Sequence, residues 1–297
     1  MSPRFPKSTP SRRGSVFAAV LAAGALLLSA CSAPADPDGP VPAAANTDYP
    51  ASHIHGMDVD AESGRALLAT HDGLYDVSTK PATRIGPDID LMGFTVAADG
   101  TMYASGHPGP GVDLPDPVGL IESTDGGNSW TPLSRTGVSD FHALAATHDG
   151  IIGFDGQLLT SAGGSSWELA EDQVPAYHLA AATDGHVAMA TTEEGLMRSN
   201  DHGKSWNPVK GAPLLMLTAI SGNQAAGTTP DGTVYTSSDG GLQWHKGAEG
   251  MGQIASIDVT DTNQEGTRIW IATETGVQVS TDQGKTFTAL KTPSGQS

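Results

Sequence analysis

Beyond about residue 50 the chain alternates apolar and polar residues in short runs, cut by Gly- and Asp-rich turns every roughly 8 to 12 residues. Period-two alternation puts successive side chains on opposite faces of a strand, and no stretch sustains the 3.6-residue period of an amphipathic helix. The pattern predicts an all-β chain. Thr101-Met102-Tyr103-Ala104-Ser105 and Ile269-Trp270-Ile271-Ala272-Thr273 read as interior strands of similar units.

Four octets punctuate these units: Ser123 to Trp130, Ser199 to Trp206, Ser237 to Trp244 and Ser280 to Phe287. Each is Ser-x-Asp-x-Gly-x-x-aromatic, with Asp125, Asp201, Asp239 and Asp282 as the acids. A fifth octet, Thr160 to Trp167, keeps the spacing but has Ala162 in place of the acid. The pattern has a mechanical reading. The carboxylate accepts backbone N–H groups across a tight turn, Gly supplies positive φ, and the aromatic plugs the space between neighbouring sheets. These octets resemble the Asp box of the BNR-repeat, sialidase-like β-propellers, and their period of about 40 residues is that of a repeat architecture. The resemblance implies a six-bladed β-propeller over residues 51–292, with 293–297 as a tail. The first unit has strand-like Ala66 to Thr70 but no octet, and no leftover strand offers to close the ring by exchange.

The chain begins differently. Arg4, Lys7, Arg12 and Arg13 precede an apolar run from Val16 to Ala30, too short to span a membrane, which ends in Leu28-Ser29-Ala30-Cys31. This is a lipobox. It predicts a lipoprotein signal peptide over 1–30, a diacylglyceryl anchor on Cys31, and display at the bacterial cell surface or on the outer face of the cytoplasmic membrane. Cys31 is the only cysteine, so the chain can form no internal disulfide. Residues 31–50 are Ala-, Pro- and Asp-rich without periodicity, the composition of a disordered tether. Loss of residues 1–30 moves the formal charge from −18 to −22, because it removes four basic residues and no acidic one. Such acidity argues against nucleic acid and against docking flat on anionic lipid.

With four antiparallel strands A to D per blade, the starts of A and the B–C loops share a front face, while the A–B loops and octet turns share the back. Strand A begins near His55, Met92, His142, His178, Met216 and Gln253. The front therefore collects His53, His55, Met92, His142, His178 and Met216, and the B–C loops add His71 and His107. His148, His186, His202 and His245 fall elsewhere. Imidazole and thioether suit Cu(I), and imidazole alone suits Cu(II), Zn or Ni. The front-face expectation is a soft transition metal, copper first, bound by His53, His55, Met92, His107, His142, His178 and Met216.

A rival expectation is an exported glycoside hydrolase. The family resemblance implies three arginines on a substrate carboxylate, one in a Phe/Tyr-Arg-Ile-Pro motif, with a Tyr–Glu nucleophile and an Asp acid. The mature chain has Arg65, Arg84, Arg135, Arg198 and Arg268, and Arg84-Ile85-Gly86-Pro87 departs from the motif. A simpler glycosidase needs two facing carboxylates, for which Asp90 and Asp140 are the candidates. The third expectation is an assembly factor that binds a protein partner, as BNR-like propellers do in building photosystems. The long insertion from Pro108 to Pro117 would serve it, since binding gathers on long loops of rigid scaffolds.

Overall fold

The computed structural model describes residues 49–50, 52–262 and 265–291. The expected export segment, Cys31, most of the tether and the 293–297 tail lie outside the described residues. The rest forms six four-stranded antiparallel sheets, each built from consecutive strands. Blade 1 holds β1 (Ile54–Val59), β2 (Ala66–Thr70), β3 (Gly73–Asp76) and β4 (Thr83–Ile85). Blade 2 holds β5 (Ile89–Val96), β6 (Met102–Pro108), β7 (Leu120–Ser123) and β8 (Thr131–Ser134). Blade 3 holds β9 (Ala143–Thr147), β10 (Gly150–Phe154), β11 (Leu158–Ser161) and β12 (Glu168–Leu169). Blade 4 holds β13 (His178–Ala181), β14 (Ala188–Thr192), β15 (Gly195–Ser199) and β16 (Asn207–Pro208). Blade 5 holds β17 (Leu217–Ser221), β18 (Gln224–Thr228), β19 (Val234–Ser237) and β20 (His245–Lys246). Blade 6 holds β21 (Ser256–Thr262), β22 (Gly266–Thr273), β23 (Gly276–Ser280) and β24 (Thr288–Ala289). This is the six-bladed propeller that the repeat pattern predicts.

The core is divided into six parts, one at each seam between blades. Blades 1 and 2 share Leu67, Leu74, Ile89 and Ile121 with Trp130 packed against them, and blades 3 and 4 share Ile152, Leu158 and Leu179 with Trp206. Trp167, Trp244 and Phe287 occupy the equivalent places at three further seams. Each octet thus supplies the apolar plug between its own blade and the one before. Strands are apolar on both faces because both faces meet a neighbouring sheet.

The octet's polar atoms hold the plug in place. Asp125 Oδ1 accepts from Ser129 N at 2.9 Å and from the Ser123 hydroxyl at 2.8 Å, while Gly127 N donates to Ser123 Oγ at 2.9 Å. The same triad of bonds recurs around Asp201 and Asp282. Bonds from Ser129 hold the Asp125 carboxyl down at about 2. The octet glycine also answers to the neighbouring blade. A Cβ at Gly203, where φ is +80°, would stand 2.5 Å from Ile152 Cδ1. The fifth octet departs from the sequence alignment. Thr160 pairs with Glu168 as Arg198 does with Asn207, so Ser161 rather than Thr160 takes the octet's Ser position and the turn to Trp167 is one residue shorter. Ala162 does not stand at the acid position, and Ser161 Oγ is buried without a hydrogen-bond partner.

Ring closure uses packing and one carboxylate. No strand is exchanged among the described residues: β1 to β4 and β21 to β24 form separate sheets. Blade 1 has no octet, so Trp270 of β22, only 3% exposed, fills the last seam with Ile54, Leu68 and Val277. Its indole N–H donates to Thr260 Oγ1 at 3.0 Å. Asp258 of β21 then bridges the blades, accepting Val59 N on Oδ2 and Val259 N on Oδ1, both at 2.7 Å.

Candidate functional site

The inner strands surround a cavity of about 380 Å³, lined at one end by His55, Met92, His142 and His178. Two of these residues occupy a special backbone position. In β1, Ile54 pairs with Thr70 and Gly56 with Ala69, and in β5, Leu91 pairs with Gly106 and Gly93 with Ser105. His55 and Met92 are therefore the extra residues of two equivalent β-bulges. A bulge bends its strand and re-aims the side chain it carries, a device common beside functional sites. The other four inner strands keep a regular register.

Around the first bulge three imidazoles converge. His53 precedes β1, His55 lies within it, and His71 opens the β2–β3 turn, where its N–H donates to His53 O at 3.2 Å. Ring centroids of His55 lie 4.9 Å from those of His53 and 4.5 Å from those of His71. One ligand nitrogen from each can be chosen so that all three lie within 4.8 Å of one another. Asp90 stands behind them. Its Oδ2 is 2.8 Å from His71 Nδ1, whereas its Oδ1 is buried, unpartnered and 3.6 Å from His55 Nε2. Burial first, then the neighbouring His71, pushes the half-buried His55 imidazole down to about 4, against the pull of Asp90. It is neutral at pH 7 and presents a lone pair.

The remaining expected ligands divide among other environments. His107 lies 2.6 Å from Asp116 Oδ1 and 3.2 Å from Asp140 Oδ2, and His142 Nε2 lies 3.4 Å from the same Asp140 oxygen. The bond to Asp116 raises the His107 imidazole above its ordinary value, so this second front-face group is built as an ion-pair network. Asp140 Oδ1, like Asp90 Oδ1, is buried without a partner. His178 lines the cavity with an unpartnered Nδ1, and burial pushes it down to about 4. Met216 packs against the seam of blades 5 and 6 and is not among the residues that line the cavity. Spacing had placed His71 at the front without counting it among the ligands. The added signal is a His at the end of strand B, opposite a His-x-His entry to strand A.

All five arginines among the described residues are engaged in the scaffold. Arg65 pairs with Asp76, Arg84 with Asp88, Arg135 with Asp155 and Arg268 with Glu265, while Arg198 donates to Gly240 O at 2.7 Å. None joins the histidine groups, so the described residues form no arginine clamp for a substrate carboxylate at the mouth.

No family model matches the chain, and no curated protein does. Solved structures do. The GH74 xyloglucanase of Xanthomonas campestris superposes with a TM-score of 0.58 at 14% identity over 81% of this chain, and an ancestral GH74 enzyme with 0.52 at 16% over 77%. The GH74 enzyme of Niastella koreensis gives 0.50 at 13% identity over 77%. The likeness is one of fold. This chain spans 38%, 36% and 52% of the lengths of those three proteins.

Proposed function

We propose that the propeller binds a transition-metal ion at its front mouth through His53, His55 and His71, with the Asp90 carboxylate beside them. The observation that carries this reading is the approach of the three imidazoles to within 4.8 Å between ligand atoms. Three nitrogens and a carboxylate oxygen suit Cu(II) first and Zn(II) next, and direct ligation would bring each nitrogen to about 2.0 to 2.1 Å from the ion. A cation there would also satisfy the buried Asp90 Oδ1, which has no hydrogen-bond partner. Met92 and His178, at the same end of the cavity as His55, offer a thioether and an imidazole as softer ligands. With a lipid anchor on Cys31, the protein would capture or hand on copper outside the cytoplasmic membrane.

A glycoside hydrolase is the second reading, favoured by the likeness in fold to GH74 enzymes and by the unpartnered oxygens of Asp90 and Asp140. It ranks lower because both carboxylates are already held by histidines. The deciding experiment is calorimetric titration of the full chain, purified in detergent, with Cu(II). Wild type should bind tightly, and the His55→Ala/His71→Ala double variant should bind about 100-fold more weakly or worse while keeping its thermal transition. Equal copper affinity in the two proteins would sink the front-face reading.

A further inference from the structure

The opposite face carries a second group of ligating side chains, drawn from blades 3 and 4. Asp149 lies in the β9–β10 turn, His186 in the β13–β14 turn and His202 in the octet after β15. Their ligand atoms lie within 4.8 Å of one another. His202 Nε2 is the focus: His186 Nδ1 stands 2.5 Å from it and Asp149 Oδ2 3.1 Å. His148 Nε2 approaches the other oxygen of Asp149 at 3.7 Å. The turns are tied together by backbone bonds from His202 N to His186 O and from His148 N to Gly185 O.

The hydrogen bonds around His202 leave its Nε2 facing a carboxylate oxygen. Thr147 Oγ1 donates to Gly150 O at 3.2 Å, so towards His202 Nδ1, 3.3 Å away, it acts as acceptor. Nδ1 therefore carries the ring proton, and Nε2 of the neutral imidazole is a bare lone pair. A lone pair facing a carboxylate oxygen at 3.1 Å is repulsive unless a cation lies between them. A proton on His186 Nδ1 would settle the His186–His202 contact but not the one with Asp149. The chain from Nδ1–H through Thr147 to Gly150 is the outer arrangement that orients a metal-bound histidine.

His202 has φ of 59°, left-handed like Gly126, Gly240 and Gln283 at the same octet position, so the turn itself sets this backbone and a glycine would fit it.

We infer that Asp149, His186 and His202 form a second metal site, for a borderline divalent ion with Zn(II) first, on the face opposite the histidine-lined mouth. Two imidazole nitrogens and one carboxylate oxygen are a Zn(II) donor set, with His148 or water as the fourth ligand. The adjoining cavity of about 320 Å³, lined by Asp149, Glu168, His202 and Lys204, gives such a water its room.

The test uses the full chain, stripped with chelator and loaded with Zn(II) alone or Co(II) alone. Wild type should retain a Zn(II) equivalent that His202→Gly lacks, and Co(II) at that site should show the visible bands of a four-coordinate ion. His202→Gly should weaken Zn(II) binding at this site about 100-fold or more without lowering the metal-free thermal midpoint, since Gly suits the left-handed backbone. Asp149→Asn should weaken it as well, about 10-fold or more. The His55→Ala/His71→Ala variant should keep this equivalent, which separates the outcome from that of the front face. If wild type, His202→Gly and Asp149→Asn hold equal Zn(II), or wild type holds none, the inference is overturned.

Discussion

Asp58→Asn should stabilise the ring at neutral pH and have almost no effect at pH 4. Asp58 and Asp258 both line the cavity, one on β1 and the other on β21. Burial, then the nearby Asp60, pushes the Asp58 carboxyl from 3.8 up to about 6. Burial, then Asp58, pushes Asp258 well above its ordinary value even though it accepts two backbone N–H bonds. A folded-state pKa above the unfolded one means that between the two values the folded protein holds a proton that the unfolded chain has released. Stability contributed by this pair is therefore fully present below pH 3.8 and declines as pH rises through about 6. At about 1.4 kcal/mol per pH unit, the shift at Asp58 corresponds to at most about 3 kcal/mol of lost stability at pH 8.

Asn has nearly the same shape and no charge to desolvate, and it also removes the repulsion felt by Asp258. Urea denaturation from pH 4 to pH 8 should show the variant gaining on wild type by about 2 to 3 kcal/mol across that range. The difference between the two proteins is the quantity to follow, because octet carboxylates such as Asp125 have the opposite sign. Held at about 2, Asp125 contributes stability that is present above 3.8 and lost as pH falls towards 2. Asp258→Asn should instead destabilise, since an amide oxygen cannot replace both carboxylate oxygens that accept Val59 N and Val259 N. If Asp58→Asn gains the same increment at pH 4 as at pH 8, or none at pH 8, ionisation of this pair is not what limits the seam.

Two further predictions concern the octets and the anchor. Ser161→Ala should remove a buried hydroxyl that has no partner and leave the thermal midpoint unchanged or up to about 2 to 4 °C higher, about 1 kcal/mol at most; a midpoint several degrees lower would show that this hydroxyl holds the shortened turn as Ser123 holds its octet. Cys31→Ser should block lipid attachment and peptidase cleavage, checked by fatty-acid labelling and membrane fractionation, and a wild-type protein that takes up no label would refute the lipobox reading.

The octets made most of the fold legible because they carry both halves of a blade's problem in eight residues. Their acid and glycine shape the turn, and their aromatic fills the seam, so spacing alone located five of the six seams. The sixth was not legible. Trp270 and Asp258 look like ordinary strand residues until β21 lies beside β1. At the front, alternation predicted where each inner strand starts, but only β1 and β5 carry bulges, and a bulge decides where the strand-start side chain is aimed. Met216 precedes a strand of regular register and packs into a seam. The pairing of His71 with Asp90 crosses from blade 1 to blade 2, and no local pattern announces it.

The two histidine groups differ in a way that bears on what each could do. At the front, the bulged His55 is half-buried and the proposed ligands come from a His-x-His entry and one turn of a single blade, with Asp90 reaching in from the next. Three imidazoles, two of them beside one carboxylate, make a nitrogen-rich set at the end of the cavity that His55 shares with Met92 and His178. At the back, the proposed ligands are turn residues of two blades, tied by backbone bonds and by the contact of His202 with Thr147, beside a separate cavity. A rigid set of this kind favours retention, and Zn(II) held between the turns of blades 3 and 4 would brace the seam whose earlier blade lacks its octet acid. The stabilisation from Zn(II) should then appear in wild type and vanish in His202→Gly.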